Sequence, residues 1–228
     1  MKKQILPLAF LAILVLFACE NDDNTGKTNE LPDKFPLETG KAWKYERTYY
    51  ENGAIDTTYF DTLYISDKHL DYFLYSWNPS SYHFMIKNTD DKLVQYGAIY
   101  PNDTSFYAEP RIWAFFGKTG CLDATNFENY HYDSGLDSLC ISVEENKEYF
   151  DEKWNTYIQE KTFTDGRDKS VTYYNKLGFV HFKFYDENNN LTEENVMIEE
   201  LENIDPPKMK SNAEKVEFNH QKISKSPY

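Results

Sequence analysis

Apolar and polar side chains alternate in short runs along most of the chain from Phe35 to Leu201, and turn residues separate the runs. Trp43, Tyr45 and Tyr49 fall on one face of a strand spanning 43–50. Asn52-Gly53 predicts a hairpin, because both residues tolerate positive φ, and Thr57 to Ile65 returns. Strands follow over Tyr72 to Trp77 and Tyr82 to Lys87, on either side of Asn78-Pro79-Ser80-Ser81, and then over Leu93 to Tyr100. Pro110 separates two expected strands, Ser105 to Ala108 and Arg111 to Phe116. Gly117 to Asp137 has no period and reads as a loop; Leu139 to Val143 is short and apolar. Segments 120–130 and 144–152 leave room for one short helix. Lys153 to Phe163 and Lys169 to Tyr174 flank the turn Asp165-Gly166. Gly178 to Tyr185 alternates, with Val180, Phe182 and Phe184 inward and His181 and Lys183 outward. Val196 to Leu201 is the last strand expected. Turns about every eight to twelve residues, without a helical period or a fixed repeat, predict an all-β domain. The expected fold is an antiparallel sandwich or an open or half barrel, with few or no helices.

Both ends of the chain depart from this pattern. Lys2 and Lys3 precede an apolar run from Ile5 to Ala18 that is shorter than the roughly twenty residues a membrane-spanning helix needs. Residues 1–18 therefore read as a signal peptide. Residues 19–34 form an acidic, polar tether, 35–205 a single β-rich domain, and 206–228 a polar C-terminal tail. The formal net charge is −14. That charge disfavours nucleic acid as a partner, because phosphates demand basic patches.

Leu16-Phe17-Ala18-Cys19 resembles a bacterial lipobox, in which the cysteine sulfur receives a diacylglycerol and the chain is cut before it. The resemblance implies lipidation at Cys19. Glu20-Asn21-Asp22-Asp23-Asn24 is similar to the signal that sends Bacteroidota-type lipoproteins to the outer face of the outer membrane. This implies an outer-membrane anchor, at the cell surface in preference to the periplasmic face. Phe35-Pro36-Leu37 with Gly40, Trp43 and Tyr45 resembles an opening common to uncharacterised bacterial lipoproteins. Their usual C-terminal signature is matched by Val171 to Val180 and the strands through Leu201. Gly40 and Trp43, with two residues between them where lipocalins have one, also resemble the lipocalin opening, which implies a lipocalin-like architecture.

With Cys19 acylated, Cys121 and Cys140 remain. In an oxidising compartment they are expected to form a disulfide, with free buried thiols as the alternative. Aromatic residues make up 17% of the chain, and a β-sheet core with cross-strand aromatic pairs is expected to take many of them. Exposed Tyr and Trp stack on sugar rings or line apolar pockets. The ligand-binding candidates are Trp77, Tyr82, Tyr100, Tyr107 and Trp113, which lie near the ends of expected strands. His131-Tyr132-Asp133-Ser134 places a base, a carboxylate and a hydroxyl close in sequence, yet a triad needs them placed in space. Asp186 to Thr192 has oxygen donors at alternate positions, but Leu191 stands where a calcium loop needs glycine, so a hairpin turn is expected. Asp56-Thr57-Thr58, Asp61-Thr62-Leu63 and Asp137-Ser138-Leu139 resemble Bacteroidota O-glycosylation acceptors. No catalytic residue, metal site or cofactor is assigned.

The expectation is a membrane-anchored, extracytoplasmic lipoprotein acting as a binding or accessory module. Its partner is an apolar ligand, a glycan or an envelope protein. The alternatives are a hydrolase acting on envelope or external polymers, and a structural subunit of an envelope complex. Replacement of Cys19→Ala is expected to move the protein from the membrane pellet to the soluble fraction on ultracentrifugation; retention in the pellet contradicts lipid anchoring.

Overall fold

The structure, a computed structural model, describes residues 30–77, 81–123, 136–163 and 169–205. Twelve strands form one antiparallel sheet that is not closed. The first six are β1 (Ala42–Glu51), β2 (Ala54–His69), β3 (Tyr72–Ser76), β4 (His83–Asn88), β5 (Lys92–Tyr100) and β6 (Asp103–Phe115). The second six are β7 (Gly120–Asp123), β8 (Leu136–Tyr149), β9 (Glu152–Phe163), β10 (Lys169–Asn175), β11 (Gly178–Tyr185) and β12 (Leu191–Leu201). Each set is a meander in sequence order, and β1 pairs with β12 to join them, leaving β6 and β7 as the edges. The all-β, antiparallel expectation holds, as one curled sheet and not a two-sheet sandwich. No helix occurs among the described residues. Glu144 to Tyr149, where a helix had room, continues β8 as strand.

Local chemistry explains most of the turns. Asn52 and Gly53 take φ of 51° and 77°, as the β1–β2 hairpin requires. Asp186 accepts hydrogen bonds from the backbone N–H of Asn188 and Asn190, both at 2.9 Å, which closes the β11–β12 turn. The hairpin turn expected over Asp186 to Thr192 is thus a self-bonded turn.

Several strand pairs carry register shifts, and two of them bear on the expected alternation. The break expected at Pro110 is a bulge inside one strand. The register passes from Arg111 opposite Gln95 to Phe106 opposite Gly97, so residues 107–110 stand against Tyr96 alone. Proline is tolerated there because an edge-strand bulge needs no N–H from it. The second bulge falls at Val180: Tyr173 pairs with His181, but Tyr174 pairs with Phe179. The alternation over Gly178 to Tyr185 is therefore interrupted, and Phe179 joins Phe182 in ring contact at 5.3 Å.

The bottom of the curled sheet is filled with rings. Phe35 lies 4.6 Å from Phe179 and 5.7 Å from Trp43, measured between ring centroids. Asn88 fixes it there, accepting from Phe35 N (3.1 Å) and donating to Phe35 O (2.7 Å). Trp43 Nε1 donates to Leu177 O (2.6 Å), and Tyr45 OH donates to Phe179 O (2.5 Å). Gly178 has φ +117°, and a Cβ there would stand 3.2 Å from the Trp43 ring. Only glycine combines that backbone with that closeness.

Edge strand β6 is finished by side chains in place of a strand. Gln159 Nε2 donates to Trp113 O (2.7 Å), and Tyr174 OH donates to Phe115 O (2.6 Å). Gly117 N donates to Tyr157 OH (2.7 Å). These side chains come from β9 and β10, so the sheet curls until β6 faces their concave surface. The other edge, β7, is held by a disulfide between Cys121 and Cys140, which are opposite one another on β7 and β8. On the chain-entropy account a loop of this length contributes about 3 kcal/mol.

Tyr174→Phe removes the donor to Phe115 O and leaves that carbonyl buried without it. A loss of about 1–3 kcal/mol is expected in urea unfolding. Tyr100→Phe, at an exposed ring, is expected to change stability by less than about 0.5 kcal/mol.

Candidate functional site

Beside the ring cluster around Phe35, with which it shares Tyr75 and Phe179, the concave face leaves a cavity of about 600 Å³. One wall carries Tyr75, Trp77, Phe84 and Trp113 from the β3–β6 half and the turn after β3; the other carries Phe163, Phe179, Phe182 and Phe184 from β9 and β11. Tyr75 and Trp113 meet edge-on at 4.8 Å, and Phe84 and Trp113 at 5.6 Å. These rings face one another across the fold and not along a single strand. Only the curling of the sheet brings them together.

Arg47 enters the cavity from β1. Its guanidinium donates to Asp61 Oδ2 (3.0 Å), Glu193 Oε1 (2.7 Å) and Asn195 Oδ1 (3.1 Å). It also lies 5.2 Å from the Trp77 ring centroid and 5.6 Å from that of Tyr59. Burial alone lowers the pKa of Arg47, but the hydrogen bonds to Glu193 and Asp61 outweigh it and keep the group charged. The neighbouring Tyr49 hydroxyl is pushed up to about 12 by burial, by its hydrogen bond with Tyr59 and by the Glu193 charge. This cluster is a satisfied network in which cation, carboxylates and aromatic faces hold one another in place.

A second polar network lies in the other wall. Trp113 Nε1 donates to Gln95 Oε1 (2.9 Å), and Gln95 Nε2 is 2.9 Å from Tyr107 OH and bonded to it. Gln95 is 3% exposed, so these bonds satisfy a buried amide and fix the Trp113 ring. Arg111 lies over the Tyr107 ring, 4.8 Å from its centroid. The bulge at 107–110 places Tyr107 and Arg111 in this relation.

Of the five aromatic candidates, Trp77 and Trp113 line the cavity. Tyr107 supports it through Gln95 and Arg111. Tyr82 packs beside Phe84 at 5.1 Å without lining the cavity, and Tyr100 is 44% exposed at the β5–β6 hairpin. Arg47, Gln95, Arg111 and Lys161 were not singled out by sequence, because charged and amide residues on alternating strands read as solvent-facing. Asp61 and Thr58, in two of the glycosylation-like motifs, are bonded to Arg47 and Thr48. Ser138, in the third, is paired within β8 and β9. His131 to Ser134, and Cys19, lie outside the described residues. Among the described residues no three His, Cys, Asp or Glu side chains gather as a metal site requires.

His181 lies on the opposite, convex face, stacked on Tyr173 at 5.0 Å. Its Nε2 meets Glu194 Oε1 at 2.7 Å, and Tyr50 OH donates to Glu194 Oε2 (3.0 Å). Burial lowers the pKa of His181 further than Glu194 raises it. Burial also opposes ionisation of Glu194, but the hydrogen bonds from His181 and Tyr50 outweigh it and hold the carboxyl below its usual range. The pair is thus a neutral imidazole donating to a carboxylate.

No family model and no curated protein matches the chain. Three chains of solved structures match it. One is the crystal structure of a DUF1329 family protein from Desulfovibrio piger, at 12% identity, covering 74% of this chain and 88% of that one, with a TM-score of 0.25.

His181 is expected to titrate below the ordinary value of 6.5 when followed by NMR, and Glu194→Gln should lower it further by removing a group that raises it. The folded state resists a proton that the unfolded chain accepts near 6.5. The contribution of this group to stability is therefore complete above that pH and declines as pH falls through the folded value.

Proposed function

We propose that this protein is a lipid-anchored, extracytoplasmic binding module that holds an apolar or amphipathic small molecule in the aromatic cavity. The observation that carries this reading is the cavity of about 600 Å³, walled by rings from both halves of the sheet. Its volume falls within the roughly 300–1,000 Å³ range of small-molecule pockets. At about 30 Å³ for each water-sized group it accommodates roughly twenty heavy atoms. Rings on opposing walls suit a flat or chain-like apolar body better than a branched polar glycan.

Lipidation at Cys19 supplies the address in this reading. Each buried methylene adds about 0.8 kcal/mol, so a cysteine bearing two or three chains stays on its membrane. The acidic residues that follow it favour the outer membrane, at the cell surface in preference to the periplasmic face.

The uncharged fluorophore N-phenylnaphthylamine should bind with a stoichiometry of one, with emission enhanced in the apolar cleft. Phe184→Glu, at a ring 37% exposed on the cavity wall, is expected to weaken uptake about tenfold by setting a charge against the ligand. Absence of uptake, or indifference to Phe184→Glu, rejects the cavity as the binding site. Mass spectrometry of material that co-purifies from native membranes would identify the natural occupant.

A further inference from the structure

The charged groups that line the cavity are already engaged. Arg47 is bonded to Asp61 (3.0 Å) and Glu193 (2.7 Å), and Lys169 to Glu160 (2.7 Å). Arg111 lies over the Tyr107 ring at 4.8 Å, and neither it nor Lys161 is without further partners. Glu193, the one carboxylate among the described lining residues, also accepts from Asn195 Nδ2 (3.0 Å). A charged ligand group would have to leave water and displace one of these partners, so its gain is offset twice.

The uncharged polar groups of β10 are in the opposite condition. Ser170 and Thr172, two residues apart and therefore on one face of the strand, both line the cavity. Neither hydroxyl takes part in a hydrogen bond among the described residues. Each stands in register with a ring of the same wall, Ser170 opposite Phe184 and Thr172 opposite Phe182. On its other side Thr172 is opposite Gln159 of β9. Gln159 is 2% exposed; its Nε2 donates to Trp113 O, and its Oε1 has no hydrogen-bond partner among the described residues. Two hydroxyls, each able to donate and to accept, thus lie between the rings of β11 and an unsatisfied amide oxygen of β9.

Resting on the small-molecule reading above, we infer that the ligand is an uncharged alcohol. Its hydrocarbon body lies against Phe182 and Phe184, and its hydroxyl is hydrogen-bonded at Ser170 and Thr172. These contacts use groups that have no intramolecular bond to give up. A hydroxyl also costs far less to take out of water than an ion does.

The test uses the full chain carrying Cys19→Ala, purified without detergent. Displacement of N-phenylnaphthylamine is compared for dodecanol, laurate, dodecyltrimethylammonium and 1-chlorododecane, the ions below their critical micelle concentrations. Dodecanol should displace the probe at about tenfold lower concentration than either ion. The chloride matches the alcohol in length but donates no hydrogen bond. Ser170→Ala with Thr172→Val should therefore shift the ratio of dodecanol to 1-chlorododecane displacement about fivefold towards the chloride, the size of one neutral hydrogen bond. Thr62→Val, on a strand position facing away from the cavity, should leave that ratio unchanged. Near-UV circular dichroism of each variant reports whether its aromatic packing is intact. Displacement by laurate or by the cation at concentrations as low as dodecanol requires overturns the uncharged ligand. A ratio that stays within about twofold in folded Ser170→Ala with Thr172→Val overturns the hydroxyl contact. Both outcomes leave the cavity as a binding site; if the probe itself fails to bind, the cavity reading fails as well.

Discussion

Two hydrogen bonds tie the ends of the domain together: Trp43 Nε1 to Leu177 O and Tyr45 OH to Phe179 O. Both donors belong to the first strand, and both acceptors to the hairpin that β10 and β11 form. The donors are buried, and both rings are fully enclosed. Losing either bond would leave an unsatisfied polar group inside, so each bond fixes position more strongly than its net energy suggests. Gly178 allows the indole to lie against the hairpin, and Phe35 seals the contact from below. The opening and closing sequence signatures are therefore halves of one contact.

That contact sets the curvature on which the cavity depends. With β1 and the β10–β11 hairpin locked, the sheet bends until β6 reaches the concave surface of β9 and β10. Gln159, Tyr157 and Tyr174 then complete the β6 edge. An exposed edge strand invites pairing with another chain. Here the protection comes from polar side chains, which occupy the groups that a neighbouring strand would otherwise take. The sheet stays open as a ladder, and the space between the wall of β3 to β6 and that of β9 to β12 becomes the cavity.

Much of the fold could be read directly. Alternation and turn chemistry located β1, β3, β4, β5, β9, β10 and β11 to within a residue at each end, because each hairpin carries its own local signal, as Asn52-Gly53 does; β2 and β12 are longer than expected, and β6 was read as two strands. What could not be read follows from bulges and from curvature. A bulge moves a side chain to another face without changing the local composition, which is how Val180 disturbs the expected alternation and how residues 107–110 aim Tyr107 and Arg111. β7 and the start of β8 lie in a segment without period, and their pairing is marked by Cys121 and Cys140 more than by apolar pattern. Trp77 and Trp113 were legible as large rings near strand ends, and both line the cavity. Arg47, Gln95 and Lys161 were not singled out, because their place in its lining depends on what the opposite wall presents.

The pairing of β1 with β12 also orders assembly in time. All other neighbours in the sheet are consecutive along the chain, so their hairpins close short loops quickly. Synthesis releases the amino terminus first, and β1 to β6 exist before Leu191 to Leu201 have been made. Throughout that interval β1 has a neighbour on one side only, and the strand that ends at the centre of the sheet begins as its border. Of the twelve described strands, the last to be made is the one that turns two separate meanders into a single surface.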